Sequence, residues 1–146
     1  MIFSVEPGFY EGSVTVELSS SGPADIIRYT TNGKYPKTDA SAYSGPITVT
    51  GNTVIRARCY ASGLHPGDVK SASYFIDMED PGLPVISLST DNGNFYDWTY
   101  GIYVDGTNGV THPYCSPDVK VNWFRDWERP VNFEYFTQDG QIQVNQ

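Results

Sequence analysis

Few side chains in this 146-residue chain are of the types and spacing that chemistry requires. Glu128 and Glu134 form a carboxylate pair of the kind that glycoside hydrolysis uses, one as acid and one as base. In the alternating run from Val131 to Phe136, however, Glu134 faces away from Val131, Phe133 and Tyr135. The simpler expectation is a solvated carboxylate or a partner of Arg125 or Arg129. Gly106-Thr107-Asn108-Gly109 is the glycine cluster nearest to a phosphate cradle, but no Lys follows it and no helix start supplies amides. A plain turn is expected there. Asp91, Asn92, Asn94 and Asp97 bring hard oxygen ligands into one short irregular stretch, a composition that can bind calcium. The spacing departs from the twelve-residue calcium loop, and turn formation accounts for the same residues. No other cofactor is implied. His65, His112, Cys59 and Cys115 are all the His and Cys present. His112 and Cys115 are close enough in sequence to chelate. Cys59 alternates with Arg56 and Arg58 and is expected to point into a core, which argues against a closed zinc site and against a Cys59–Cys115 disulfide. Two free thiols are expected.

Aromatic rings are the strongest lead toward function: 3 Trp, 11 Tyr and 7 Phe. Trp98, Tyr100, Trp123 and Trp127 lie in or beside irregular segments, where an exposed ring can stack on the apolar face of a sugar. Trp123 is in register with Val119 and Val121 and is expected to be buried, which leaves Trp98, Tyr100 and Trp127 as the carbohydrate-stacking candidates. The competing explanation is that a small, loop-rich unit fills its core with large rings.

The elements that must position these residues read as strands. Ser13 to Leu18 alternates strictly, placing Val14, Val16 and Leu18 on one face. Ile27 and Tyr29, Ile47 and Val49, and Ile55, Ala57 and Cys59 alternate likewise, with turn residues between the runs. No window has the 3.6-residue period of an amphipathic helix. After Leu83-Pro84-Val85-Ile86-Ser87-Leu88, Gly101 to Val104 predicts a brief strand. Val131 to Phe136 and Gln141 to Val144, joined through Asp139-Gly140, predict a hairpin. Its last strand is an open edge, expected to dock on the first unit or to pair with another chain. The chain end reads as something other than a natural domain end.

Charge divides the chain near the acidic stretch 77–83. Up to Asp77 there are 6 basic and 7 acidic residues, net −1; beyond it there are 3 and 10, net −7. The expected organisation is therefore a domain over residues 1–77, a linker over 78–82 and a β-rich region over 83–146. The fold class is all-β: a small immunoglobulin-like antiparallel sandwich followed by a second, irregular β-rich unit. A net charge of −8 repels phosphate backbones and excludes nucleic acid as a partner, and no stretch is long and apolar enough to span a membrane as a helix. Met1 to Ser4 lacks the basic start and apolar run of a secretion signal, so the chain is either cytosolic or preceded by a signal upstream.

Tyr29-Thr30-Thr31-Asn32-Gly33 followed by Pro36, with Glu6-Pro7-Gly8-Phe9-Tyr10, Tyr43, Pro46-Ile47, Val54-Ile55-Arg56-Ala57 and Ser73-Tyr74, resembles the chitobiase/β-hexosaminidase C-terminal-type domain over about residues 3–77. The resemblance implies an immunoglobulin-like sandwich without catalytic residues and an extracellular or cell-surface setting. Leu83 to Leu88, Thr90-Asp91, Gly101 to Val104, Trp127-Glu128-Arg129-Pro130, Phe133 to Phe136 and Asp139-Gly140 resemble the opening of a CotH-type spore-coat kinase domain, whose nucleotide and metal residues lie further on. Together these imply a noncatalytic spacer or adhesion segment of a larger exported bacterial protein, with polysaccharide or another cell-surface protein as partner. The alternatives are a carbohydrate-binding module and the front portion of a kinase whose catalytic residues lie outside this chain.

Overall fold

The computed structural model describes residues 1–79 and 81–146, the side chains of Ser116 and Pro117 excepted. Strands take up 40% of the chain and helix 6%, so the all-β class is what the alternating sequence builds. The chain separates into two compact units. One comprises residues 1–89 and 132–146; the other is the stretch 90–131. This division differs from the charge-based one: both flanks of the acidic, ring-rich stretch join the sandwich, and only its middle stands apart.

In the first unit, β2 (Gly8–Tyr10), β5 (Ile26–Thr30), β6 (Ser41–Ala42), β8 (Thr53–Tyr60) and β9 (Lys70–Ile76) form a five-stranded sheet in the order β2-β9-β8-β5-β6. The pairing is antiparallel except that β2 runs parallel to β9. The predicted strand Ser13–Leu18 is split into β3 (Val14–Val16) and β4 (Leu18–Ser19), which change partners: β3 pairs with β7 (Ile47–Val49), and β4 with β1 (Ile2–Phe3). Between them the Glu17 amide leaves the ladder and donates to Ser4 Oγ at 2.8 Å. Val16, Leu18 and Val49 meet Ile55, Ala57, Ala72, Tyr74 and Ile76 in one buried cluster, so the period-two face seen in the sequence is the core. Cys59 ends that row differently. It is half-buried and lines a surface cleft with Met1, His65 and Lys70, because the core closes at Ala57. The Asn32-Gly33 turn is set by Gly33 at φ +74, a left-handed conformation that glycine adopts without a Cβ clash.

β10 (Val85–Ser89), β13 (Asn132–Phe136) and β14 (Ile142–Asn145) form a separate antiparallel sheet in the order β10-β13-β14. The predicted hairpin is β13–β14, turned through Gly140 at φ +78; it meets β9 through the inward side chains Glu134 and Asn145, while β14 is the outer strand of its sheet. β9 is consequently buried on both sides. Ala72, Tyr74 and Ile76 face the sandwich core, and Ser71, Ser73 and Phe75 face the added sheet. Phe9, Phe75 and Phe136 pack ring on ring with centroids 4.8–5.7 Å apart, supplying the apolar part of this second contact. The outer positions of the added sheet are apolar yet exposed, at Ile86 and Leu88.

In the second unit, α1 (Asn92–Tyr96) is a one-turn helix that the sequence periodicity did not signal, being too short to show a period. The predicted strand at Gly101–Val104 is instead a turn-rich segment folding back along α1. β11 (Val110–His112) pairs with β12 (Ser116–Val121), and Asn122–Phe124 follows as a 3-10 helix.

Candidate functional site

Asp91 starts the construction of the second unit by capping α1, its carboxylate accepting from the Gly93 amide at 3.0 Å. Asp97 closes the helix, and its Oδ1 takes the amides of Thr99 and Tyr100 at 2.8 and 3.1 Å. Asn94 Nδ2 donates to Thr90 Oγ1, while Asn92 is exposed. Asp91, Asn94 and Asp97 thus bond within the loop, and no group of three or more His, Cys, Asp or Glu able to hold a metal occurs among the described residues. The returning chain bonds to the helix through Ile102 N to Asn94 O and Tyr103 N to Phe95 O, both at 2.9 Å.

Asn122 holds this loop system from inside. It is fully buried; its Nδ2 donates to the carbonyls of Trp98 and Gly101 at 3.3 and 3.2 Å, and its Oδ1 accepts from Asn108 N at 3.0 Å. Its own amide donates to Asp105 O at 2.6 Å. Gly106 and Gly109 are required for this approach, since a Cβ on either would lie 2.0 Å from Asn122 Nδ2 or 1.9 Å from the Val121 carbonyl carbon. The Gly106–Gly109 cluster is therefore a packing turn, and its Thr107 and Asn108 amides are already spent on Trp98 O and Asn122 Oδ1. No sequence motif announces Asn122; its signal is a lone Asn between two apolar-rich runs.

Around this polar hub most of the rings stay outside. Trp98 is 58% exposed, Tyr100 46% and Tyr103 72%, and Tyr96 and Tyr114 are also exposed. Tyr96 meets Phe95 and Tyr103 with centroids 5.9 and 6.2 Å apart, and the Tyr100 hydroxyl lies against Gly93. Trp98 and Tyr100 belong to the turn that Asp97 organises. Trp127 is half-buried, with the guanidiniums of Arg125 and Arg129 each 4.7 Å from its ring centroid. Trp123 is not buried as its register suggested: β12 ends at Val121, and the 3-10 turn carries the indole outward, where Nε1 donates to Asp105 Oδ1 at 2.9 Å. Tyr96 and Tyr103 were not singled out by sequence, though both flank the turn that was.

Glu134 departs furthest from expectation. It is fully buried on β13, and Arg125 and Arg129 donate instead to the carbonyls of Asn108 and Tyr100. Its Oε2 accepts from Ser73 Oγ at 2.5 Å and its Oε1 from Ser73 N at 3.1 Å. The alternation was read correctly, but the sheet is docked by its polar side and so turns Glu134 inward. Burial pushes its carboxyl above the ordinary glutamate value, while the two bonds from Ser73 oppose that rise. A cleft of about 280 Å³ beside the hairpin, lined by Phe9, Leu83, Val85 and the 137–140 turn, has Asp139 as its one titrating side chain among the described residues. Cys59 and Cys115 are free thiols, one in each unit.

Residues 5–71 match the family model of the chitobiase/beta-hexosaminidase C-terminal domain, a noncatalytic β-sandwich accessory domain that is typically extracellular. The match stops short of the added sheet and of the second unit. No curated protein and no solved structure matches the chain. No helix among the described residues is long and apolar enough to cross a membrane.

Proposed function

We propose that this chain is a noncatalytic accessory segment of a larger exported, cell-surface bacterial protein, in which the sandwich is a mount and the second unit an adhesive surface for polysaccharide. The observation that carries this reading is the exposure of Trp98, Tyr100 and Tyr103 on a unit whose loops are tied from inside by the buried Asn122. A small unit that needed its rings for stability would bury them, whereas a surface that stacks on sugar faces needs them in water. The family match over residues 5–71 supports the mount. A spacer without ligand is the simplest competing reading, and a CotH-type kinase in the parent protein is suggested by the resemblance of residues 83–146.

The test is a glycan array followed by calorimetric titration, comparing the intact chain with a Trp98→Ala, Tyr100→Ala, Tyr103→Ala variant. Saturable binding to at least one polysaccharide that falls tenfold or more in the variant is expected. Absence of heat with every polysaccharide would leave the spacer, and nucleotide binding by this chain would overturn the noncatalytic reading.

A further inference from the structure

The added sheet has its polar side turned inward, and its register explains how. Ser87, Glu134 and Asn145 stand opposite one another on β10, β13 and β14, forming one row across all three strands. That row meets β9. Ser73 Oγ bonds both Glu134 Oε2 at 2.5 Å and Ser87 Oγ at 2.7 Å, and Asn145 Nδ2 reaches the Ser71 carbonyl at 3.0 Å. Glu134 also lies 3.4 Å from Asn145 Nδ2. The groups that bond the carboxyl are neutral, Ser73 from β9 and Asn145 from β14, with Ser87 of β10 bonded in turn to Ser73; the buried cation on the same face of the sheet, Arg56 of β8 opposite Ser71, donates to the Gly33 carbonyl. The further titrating group close enough to be felt is the phenol of Tyr74 on β9, itself held protonated by burial first and then by the charges of Tyr10, Glu134 and Glu6. Ser71 and Ser89, buried with hydroxyls that have no hydrogen-bond partner among the described residues, lie along the same strands.

We infer that this row is a proton-set latch: the β10-β13-β14 sheet is held firmly on β9 when Glu134 carries a proton and loosens when the carboxyl ionises. Protonated, Oε2–H donates to Ser73 Oγ, the Ser73 hydroxyl donates onward to Ser87 Oγ, and Oε1 still accepts from Ser73 N–H, so each hydrogen has a place. Ionised, the carboxylate keeps its donors but sits fully buried with no cation among its described hydrogen-bond partners, which costs solvation that three neutral donors do not restore. The direction follows from linkage. A carboxyl raised above its ordinary 4.5 binds its proton more tightly in the docked state. Docking is therefore strongest below that value and weakens as pH climbs from 4.5 through the docked-state midpoint, about tenfold for each unit of upward shift.

The test is amide hydrogen exchange on the full chain between pH 4 and 8, corrected for the intrinsic pH dependence of exchange, for wild type and Glu134→Gln. Expected in wild type is protection of β13, β14 and Ser73 amides that drops several-fold or more between pH 4 and 7.5, while β8 amides change little. In Glu134→Gln the dependence should vanish. Wild-type protection that does not vary with pH, or the same variation in the Gln variant, would overturn the latch. Should Glu134→Gln fail to fold, carbon-detected titration of the Glu134 carboxyl in wild type decides: a midpoint above 4.5 supports the latch, and one at or below it contradicts it.

Discussion

The two compact units solve the same problem, closing a small β-rich body, with opposite materials. The sandwich unit buries Val16, Ile55, Ala57, Ala72 and Tyr74 almost completely, and its stability rests on apolar area removed from water. The 90–131 unit buries Val121, Asn122 and two glycines, and is tied by backbone groups converging on one amide side chain. Most of its large rings, Trp98, Tyr100, Tyr103 and Tyr114 among them, stand in solvent, with Phe124 and Trp127 half-buried. Aromatic content therefore does not report core size; what decides is whether a polar hub already satisfies the loop backbone and leaves the rings nothing to close.

Four substitutions sharpen or break this contrast. Ile55→Ala removes a fully buried side chain from the apolar cluster and should cost about 2–5 kcal/mol, read by denaturant unfolding, with the whole sandwich losing stability together. Asn122→Ala strands two carbonyls and an amide, and should cost the 90–131 unit about 2–4 kcal/mol, given roughly 1–3 kcal/mol for each buried group left without a partner and partial relaxation. Amide spectra should then show residues 97–109 disordered while β5, β8 and β9 keep their shifts. A loss of both units together would break the comparison. Ser73→Ala removes the hydroxyl shared by Glu134 and Ser87 and should cost about 1–3 kcal/mol, measured at neutral pH. Trp98→Ala should alter stability by less than about 0.5 kcal/mol, since the ring is exposed, and its effect should appear in polysaccharide binding.

Much of the sandwich was legible because side-chain alternation survives any arrangement of strands. Val14, Val16, Leu18, Ile55 and Ala57 face inward as their period requires, and Gly33 and Gly140 turn where Asn-Gly and Asp-Gly stand. Alternation names two faces without saying which one is buried. That is why Glu134, correctly set apart from Phe133 and Tyr135, was expected in solvent and lies in the interior. The parallel pairing of β2 with β9 and the docking on the outer face of β9 are long-range choices that no local pattern carries. In the 90–131 unit the hub is a single Asn whose role depends on carbonyls 21 and 24 residues away, so neither it nor the outward turn of Trp123 follows from spacing. The exposed Trp98 and Tyr100 were legible because Asp97, Gly101 and their neighbours make turns wherever they occur.

The claim on which the functional reading depends is that the rings of the 90–131 unit are carried by its scaffold and do not hold it together. A two-dimensional amide spectrum of the Tyr96→Ser, Trp98→Ser, Tyr103→Ser triple variant tests it directly. Retention of dispersed resonances for residues 97–109 and for the Asn122 side-chain amide is the predicted result. Collapse of those resonances toward random-coil positions would show that the rings are structural, and the adhesive surface would have to be abandoned.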